Sequence, residues 1–330
     1  MSPAVASFAV EEGQRVAAAY EVCREIARRE AKNFYYAFRA LPKPKRDAIC
    51  AVYAFMRHAD DLSDDESLPH ADRRRALEAW MTAWHEAEGG RPTDDPVFVA
   101  LADAQRRFRI PSELLDQLVR GTAMDLERPE SQPRNVAVRN QSSSAAQAVL
   151  LDVYPTFDDL YRYCYLVASV VGLVCIRIFG YEDARAEKLA EETGIAFQLT
   201  NILRDVREDA DRGRIYLPLE DMERLGVTTE ELTKPRAWPQ SSGGLRELLK
   251  LEAGRAERYY KSGRNLLPLI AADSRPAMWV LITIYHRLLE RIEQRGYDVF
   301  SSRVSVPTRE KLWILACGLL QVFAHRLSGA

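Results

Sequence analysis

Two aspartate-rich stretches lie far apart in the chain, Arg57 to Asp65 and Asn201 to Asp209. If each is an α-helix, Asp60 and Asp64 stand four residues apart and project from one face, as do Asp205 and Asp209. Two such faces turned toward each other crowd at least four carboxylates into one cavity, a repulsive arrangement that bound cations relieve. Mg²⁺ prefers oxygen ligands, keeps part of its water shell and is commonly shared between a few carboxylates and phosphate oxygens. The pattern therefore points to a magnesium diphosphate site.

The polar stripe is longer than its aspartates. Gln198, Asn201, Asp205 and Asp209 are spaced three, four and four residues apart, which keeps them within a narrow stripe of one helix face, with Phe197, Leu199, Ile202 and Leu203 on other faces, able to pack. The first stretch repeats the design with Tyr53, Arg57, Asp60 and Asp64, adding a phenol and a guanidinium suited to bidentate phosphate contacts. Charge runs on helices are usually solvated faces. Here both stretches use aspartate rather than the better helix former glutamate, and both follow apolar runs, Ala48 to Met56 and Ile195 to Leu203, which favours one shared cavity.

Rigid elements must hold these stripes. Helical periodicity predicts helices over about 14–31, 45–62, 70–88, 95–108, 112–126, 157–179, 185–211, 243–269, 274–296 and 308–327, and little strand alternation remains. Pro42 and Pro44 precede the first aspartate helix, Thr156 to Asp159 resembles a capped helix start, and Gly213 and Pro218 end the second aspartate helix. The economical reading is an all-α single domain over 1–330, with 127–155 as a long loop or flap and 233–244 as an irregular loop. The aspartate stretches flank the first loop, so a shared site requires both halves in one fold.

Bulk properties narrow the function. A net charge of −2 and a pI near 6.3 provide no global field for nucleic acid, so no nucleic-acid partner is expected. The five cysteines are odd in number and lack C-x-x-C spacing, as expected of buried thiols in a reducing compartment. Val5 to Val10 is short and followed by Glu11 and Glu12, with no signal or transit pattern, so a cytoplasmic location is expected. Leu166 to Ile176 and Leu312 to Ala324 are too short or interrupted for a span of about 20 residues and read as core helices, although an apolar substrate could bring the protein to the inner face of a membrane. The oligomeric state is not legible.

The chain resembles the squalene/phytoene synthases, the head-to-head trans-isoprenyl diphosphate synthases, from roughly Cys23 to Lys311. The likeness rests on Phe34 to Pro42, Tyr53 to Asp64, Gly121 to Asp125, Tyr163 to Gly172, and Gln198 to Asp209 leading into Arg214 to Pro218, in this order. The resemblance implies a helical bundle of isoprenoid-synthase type around a deep apolar cavity. It implies Asp60, Asp64, Asn201, Asp205 and Asp209 as Mg²⁺ ligands, and Tyr53, Arg57, Gln198, Tyr285 and Arg303 as groups positioning the diphosphates. It also implies a catalytic Tyr163 in the first half-reaction.

Chain length should follow cavity depth, set by bulk at Phe38 and Cys50 and by the helix through Val167, Val170 and Val171. The expected reaction is condensation of two C15 farnesyl diphosphates to presqualene diphosphate and squalene, because Tyr259 to Leu312 is similar to bacterial hopanoid-pathway members. The alternatives are condensation of two C20 geranylgeranyl diphosphates to phytoene, or a non-catalytic scaffold derived from the family. NADPH enters only with a reductive second step, and no G-x-G-x-x-G fingerprint bears on it. Ala31 to Phe34 departs from the family's usual Ser-Lys-Ser-Phe, Ser169 and Thr122 replace its usual glycine and methionine, and 127–155 is longer than usual at that point.

Overall fold

Prolines and short side-chain caps start several of the helices. Pro42 caps the first aspartate helix, Pro69 the next, and Asp95 Oδ1 accepts from the amides of Val97 (2.8 Å) and Phe98 (3.3 Å) ahead of Pro96. Thr156 and Asp159 form the expected capping box, each side chain accepting from the other's backbone amide. The computed structural model describes residues 3–65, 67–124, 135–138, 149–233 and 243–328.

The helices are α1 (Pro3–Glu30), α2 (Lys32–Phe38), α3 (Lys43–Asp64), α4 (His70–Glu88), α5 (Pro96–Phe108), α6 (Ser112–Ala123), α7 (Phe157–Cys164), α8 (Val170–Phe179), α9 (Arg185–Asp211), α10 (Leu219–Arg224), α11 (Thr229–Thr233), α12 (Gly243–Leu266), α13 (Arg275–Gln294) and α14 (Thr308–Ser328). A π-helical segment, Tyr165–Ser169, joins α7 to α8 in one rod. The fold is all-α, and α9 is its hub, packed on α12, α8, α13 and the π segment, while α3 packs chiefly on α1, α5, α6 and α4. One core cluster extends from Ala19 on α1 to Leu315 on α14.

Two short strands depart from the expected loop 127–155, and a third follows α9. β1 (Asn135–Val138) pairs antiparallel with β2 (Val149–Val153), which pairs parallel with β3 (Arg214–Ile215). Segments this short lie below the reach of periodicity. The pairing of Val153 with Ile215 ties the segment before α7 to the end of α9. Residues 127–134 and 139–148 of the expected flap, and 234–242 of the second loop, lie outside the described residues.

Phe157–Phe179 is long and apolar enough to cross a membrane by length and composition alone. Its place in the bundle gives another reason for that composition: Leu160, Val170, Val174 and Ile178 are core, while Val167, Val171 and Cys175 line an internal cavity. Two glycines let neighbouring helices press onto the π segment. A Cβ on Gly121 of α6 would stand 2.7 Å from the Leu166 carbonyl oxygen, and one on Gly194 of α9 would stand 2.6 Å from Ser169 Cα. Backbone, rather than a flexible side chain, opposes both.

Gly194→Ala is therefore expected to destabilise the fold by roughly 1–3 kcal/mol through overpacking. Gly254→Ala, on an open face of α12 with nothing within 4 Å of the new Cβ, is expected to stabilise by about 0.5–1 kcal/mol. Urea unfolding of both variants checks the contrast.

Candidate active site

A cavity of ≈ 240 Å³ lies between α3 and α9, walled also by α2, α8 and α13. Its α3 wall is Ile49, Val52, Tyr53 and Met56, and its α9 wall is Ala190, Thr193, Gly194, Phe197, Gln198 and Asn201. Both sets follow the three-and-four spacing of one helix face, and that spacing carries each wall onward to Asp60 on α3 and Asp205 on α9. The cavity thus has an axis. Asp60, Asp205 and, one turn before Val167, Tyr163 stand toward its mouth; Ile49, Ala190, Cys175, Ile176, Phe179 and Met278 lie toward its floor.

Near the mouth the lining turns polar. Asn201 Nδ2 donates to Gln198 Oε1 at 3.3 Å, and the Asn201 amide also hydrogen-bonds the Tyr285 hydroxyl. Tyr285 stacks on Phe197 with ring centroids 4.5 Å apart, and burial pushes its hydroxyl pKa up to about 12. Asn201 Oδ1 is buried and has no hydrogen-bond partner among the described residues, a costly condition for a carbonyl oxygen.

The carboxylates are unevenly compensated. Arg204 grips Asp205 with both Nε and Nη2, and Arg303 Nη2 donates to Asp205 Oδ1 at 2.9 Å. Asp60, Asp64 and Asp209 make no ion pair among the described residues. Burial, reinforced by the neighbouring Asp64, pushes the Asp60 carboxyl up to about 7; burial and Asp205 push Asp209 up to about 6. Among the described residues no three acidic, histidine or cysteine side chains already form a chelate. The donor set nevertheless suits Mg²⁺: hard carboxylate oxygens short of counter-charge, and an unpartnered amide oxygen between them.

Tyr163 sits in a cluster of three phenols. Its ring stacks on Tyr216 at 4.9 Å and tilts against Tyr154 at 5.3 Å. Burial and the Tyr216 hydroxyl hold its pKa well above the ordinary tyrosine value, so the phenol stays protonated. Tyr154 follows β2 and Tyr216 follows β3, so the small sheet assembles this cluster. Neither partner was assigned from sequence, although Tyr216 lies within the Arg214 to Pro218 motif.

The structure corrects several expectations. Phe38 lines the cavity, but Cys50 does not: it is fully buried on the α1 side of α3, beside Cys23, because one residue past Ile49 turns the side chain about 100° away. Val170 likewise points into the core, leaving Val167 and Val171 on the wall. Arg57 is half-exposed and its guanidinium lies 2.5 Å from Asp61, outside the predicted stripe. Arg303 is spent on Asp205 and approaches Glu208 at 3.5 Å. Sequence reading missed Arg204, which holds Asp205, and the wall residues Phe34, Met56 and Phe197. His58, next to the first stripe, packs on Trp80 with ring centroids 3.9 Å apart.

Comparison with known proteins places this geometry. The squalene/phytoene synthase family model matches residues 27–310. Phytoene synthase of Mycobacterium tuberculosis is 35% identical over 301 residues, covering 91% of this chain and 90% of the relative. The 15-cis-phytoene synthase of Synechococcus elongatus is 33% identical over 318 residues, covering 92% and 93%. Among solved structures, a dehydrosqualene synthase in complex with ligand superimposes with a TM-score of 0.77 at 30% identity, covering 95% of this chain and 99% of that one. Squalene synthase HpnC from Alicyclobacillus acidocaldarius follows with a TM-score of 0.72 at 28% identity, covering 86% and 95%.

The raised carboxyl of Asp60 makes the metal-free protein pH-sensitive. Below about pH 4 the group is protonated both folded and unfolded; from there to about pH 7 only the folded state keeps the proton, so stability falls as pH rises and the full penalty is present above pH 7. In EDTA, Asp60→Asn is expected to raise stability at pH 8 by roughly 2 kcal/mol, after discounting for partial exposure, and to leave it unchanged near pH 4. Thermal melts across that range give the difference; a gain that does not vary with pH would contradict the burial argument.

Proposed function

The chain belongs to the squalene/phytoene synthase family and is a prenyltransferase of the head-to-head type, and from that premise we propose that it condenses two C20 geranylgeranyl diphosphates to phytoene. The observation that carries the chain length is the naming of the curated relatives as phytoene synthases, which favours the C20 reading over the C15 condensation expected from the carboxy-terminal half. The lined α9 wall, Ala190 to Asn201, runs roughly 16 Å at 1.5 Å per residue and gives the tails an apolar channel.

In this reading Asp60, Asp64, Asn201, Asp205 and Asp209 would hold Mg²⁺ at the mouth, and the ion when bound would supply positive charge to offset that of the departing diphosphates. Gln198 and Tyr285 orient Asn201, and Arg204 and Arg303 fix Asp205, so the oxygen donors are set before substrate arrives. Tyr53 stands at the same end to contact diphosphate oxygens, and Arg57 joins it by exchanging Asp61 for a diphosphate oxygen. The apolar walls, from Phe34 and Phe38 down to Cys175, keep water from the allylic cation. Tyr163, neutral and flanked by Tyr154 and Tyr216, is placed to donate a hydrogen bond from its Oη to the departed diphosphate, whose oxygen takes the proton lost from carbon as the cyclopropane ring closes. Two diphosphates and two protons leave in total, so phytoene formation needs no NADPH.

Product analysis with C15 and C20 diphosphates and Mg²⁺ tests this. Phytoene from the C20 substrate, at a kcat/KM at least tenfold above that for C15, is expected; a C30 product alone would overturn the chain-length reading. Cys175→Trp fills the lower cavity, and is expected to cost C20 turnover ten- to a hundredfold more than C15 turnover.

A further inference from the structure

The cavity face of α3 does not end at Ile49. One turn earlier the same face carries Lys45, so the row reads Lys45, Ile49, Val52 with Tyr53, Met56 and Asp60, with a cation at one end and a carboxylate at the other. The ammonium is largely buried, and three bonds consume its three protons: Nζ donates to the Phe179 carbonyl at 2.7 Å, to Asp273 Oδ1 at 2.6 Å and to Ser274 Oγ at 2.9 Å. Each partner marks a helix end at the cavity floor. Phe179 is the last residue of α8 and its side chain lines the cavity; Asp273 and Ser274 lead into α13, whose Met278 lines it one turn on.

The surroundings fix this junction further. Ser274 is fully buried, and its hydroxyl also donates to Asp273 Oδ1 at 3.0 Å. The Ala271 amide donates to the Gly180 carbonyl at 2.8 Å, and Tyr181 bridges Ile270. Gly180 takes φ +83°, which turns the chain sharply just after Phe179. A cation at the C-terminal end of α8 is favourable in itself, because it meets an otherwise unpaired carbonyl.

We propose that Lys45 is a positioning residue that latches the floor of the tail cavity, joining the ends of α3, α8 and α13 so that Phe179 and Met278 stop a fifth isoprene unit. The inference rests on the proposed reaction for the identity of the tail. A tail longer than C20 would have to part α8 from α13, and Lys45 is a buried polar tie from α3 to both.

Binding of unreactive prenyl thiodiphosphates of 15, 20 and 25 carbons, measured calorimetrically with Mg²⁺, tests the latch without catalysis. Wild type is expected to bind the C25 compound at least tenfold more weakly than C20. Lys45→Met should remove that gap while leaving C15 and C20 affinity within threefold, and Lys45→Arg should restore it. If Lys45→Met proves too unstable to handle, Ser274→Ala removes one of the three contacts and should narrow the gap in the same direction. An unchanged C25 to C20 ratio in these variants, or an equal loss for all three tails, overturns the proposal. A length shift in a protein that forms no C40 product would instead overturn the reaction reading and leave the latch standing.

Discussion

Carboxylates held beside an apolar cavity without enough counter-charge are the constraint on which the rest of this structure depends. Asp60 and Asp209 are raised well above the ordinary carboxylate range because burial penalises their charged form and a neighbouring aspartate adds to the penalty. Natural folds seldom keep such groups unless a ligand uses them. Here the same two helices, α3 and α9, carry acid at the mouth and apolar side chains below it, so one rotation of each rod sets both the ionic and the tail-binding ends of the site.

Keeping those rods in register falls to backbone contact rather than side-chain size. Gly121 and Gly194 bring α6 and α9 against the π segment, and Ser169 Oγ donates to the Glu191 carbonyl at 2.6 Å to join the same rods. A π turn shifts the phase of a helix relative to ordinary α spacing. It falls between Tyr163, which belongs with the phenols at the mouth, and Val171 and Cys175, which belong to the wall. The small sheet has a parallel role, since β2 and β3 deliver Tyr154 and Tyr216 to Tyr163.

The long helices and the two acidic stripes were legible because burial on one face leaves a period in the sequence: the ten predicted helices correspond to observed ones, although α1 starts eleven residues before the expected 14 and the expected 157–179 helix contains a π segment between α7 and α8. Short elements were not: α2, α10, α11 and the three strands are too brief to show a period. Facing was harder than spacing. Cys50 and Val170 were expected on the cavity wall, yet one residue of helix is about 100° of rotation, enough to move a side chain from lumen to core. Counter-charges were the other gap. Arg204 lies next to Asp205 in sequence, where helix geometry alone gives no reason to pair them, and its flexible side chain nonetheless reaches both carboxylate oxygens.

The central claim is that the mouth carries negative charge that only a metal–diphosphate complex satisfies. Calorimetric titration of inorganic diphosphate into the metal-free protein and into the same protein with Mg²⁺, at pH 6.5 in buffers of different ionisation enthalpy, tests it most directly. The account predicts diphosphate binding at least a hundredfold tighter with Mg²⁺, accompanied by proton release as Asp60 loses the proton that burial keeps on it. Equal affinity with and without the metal, or metal-dependent binding that releases no proton, would contradict it.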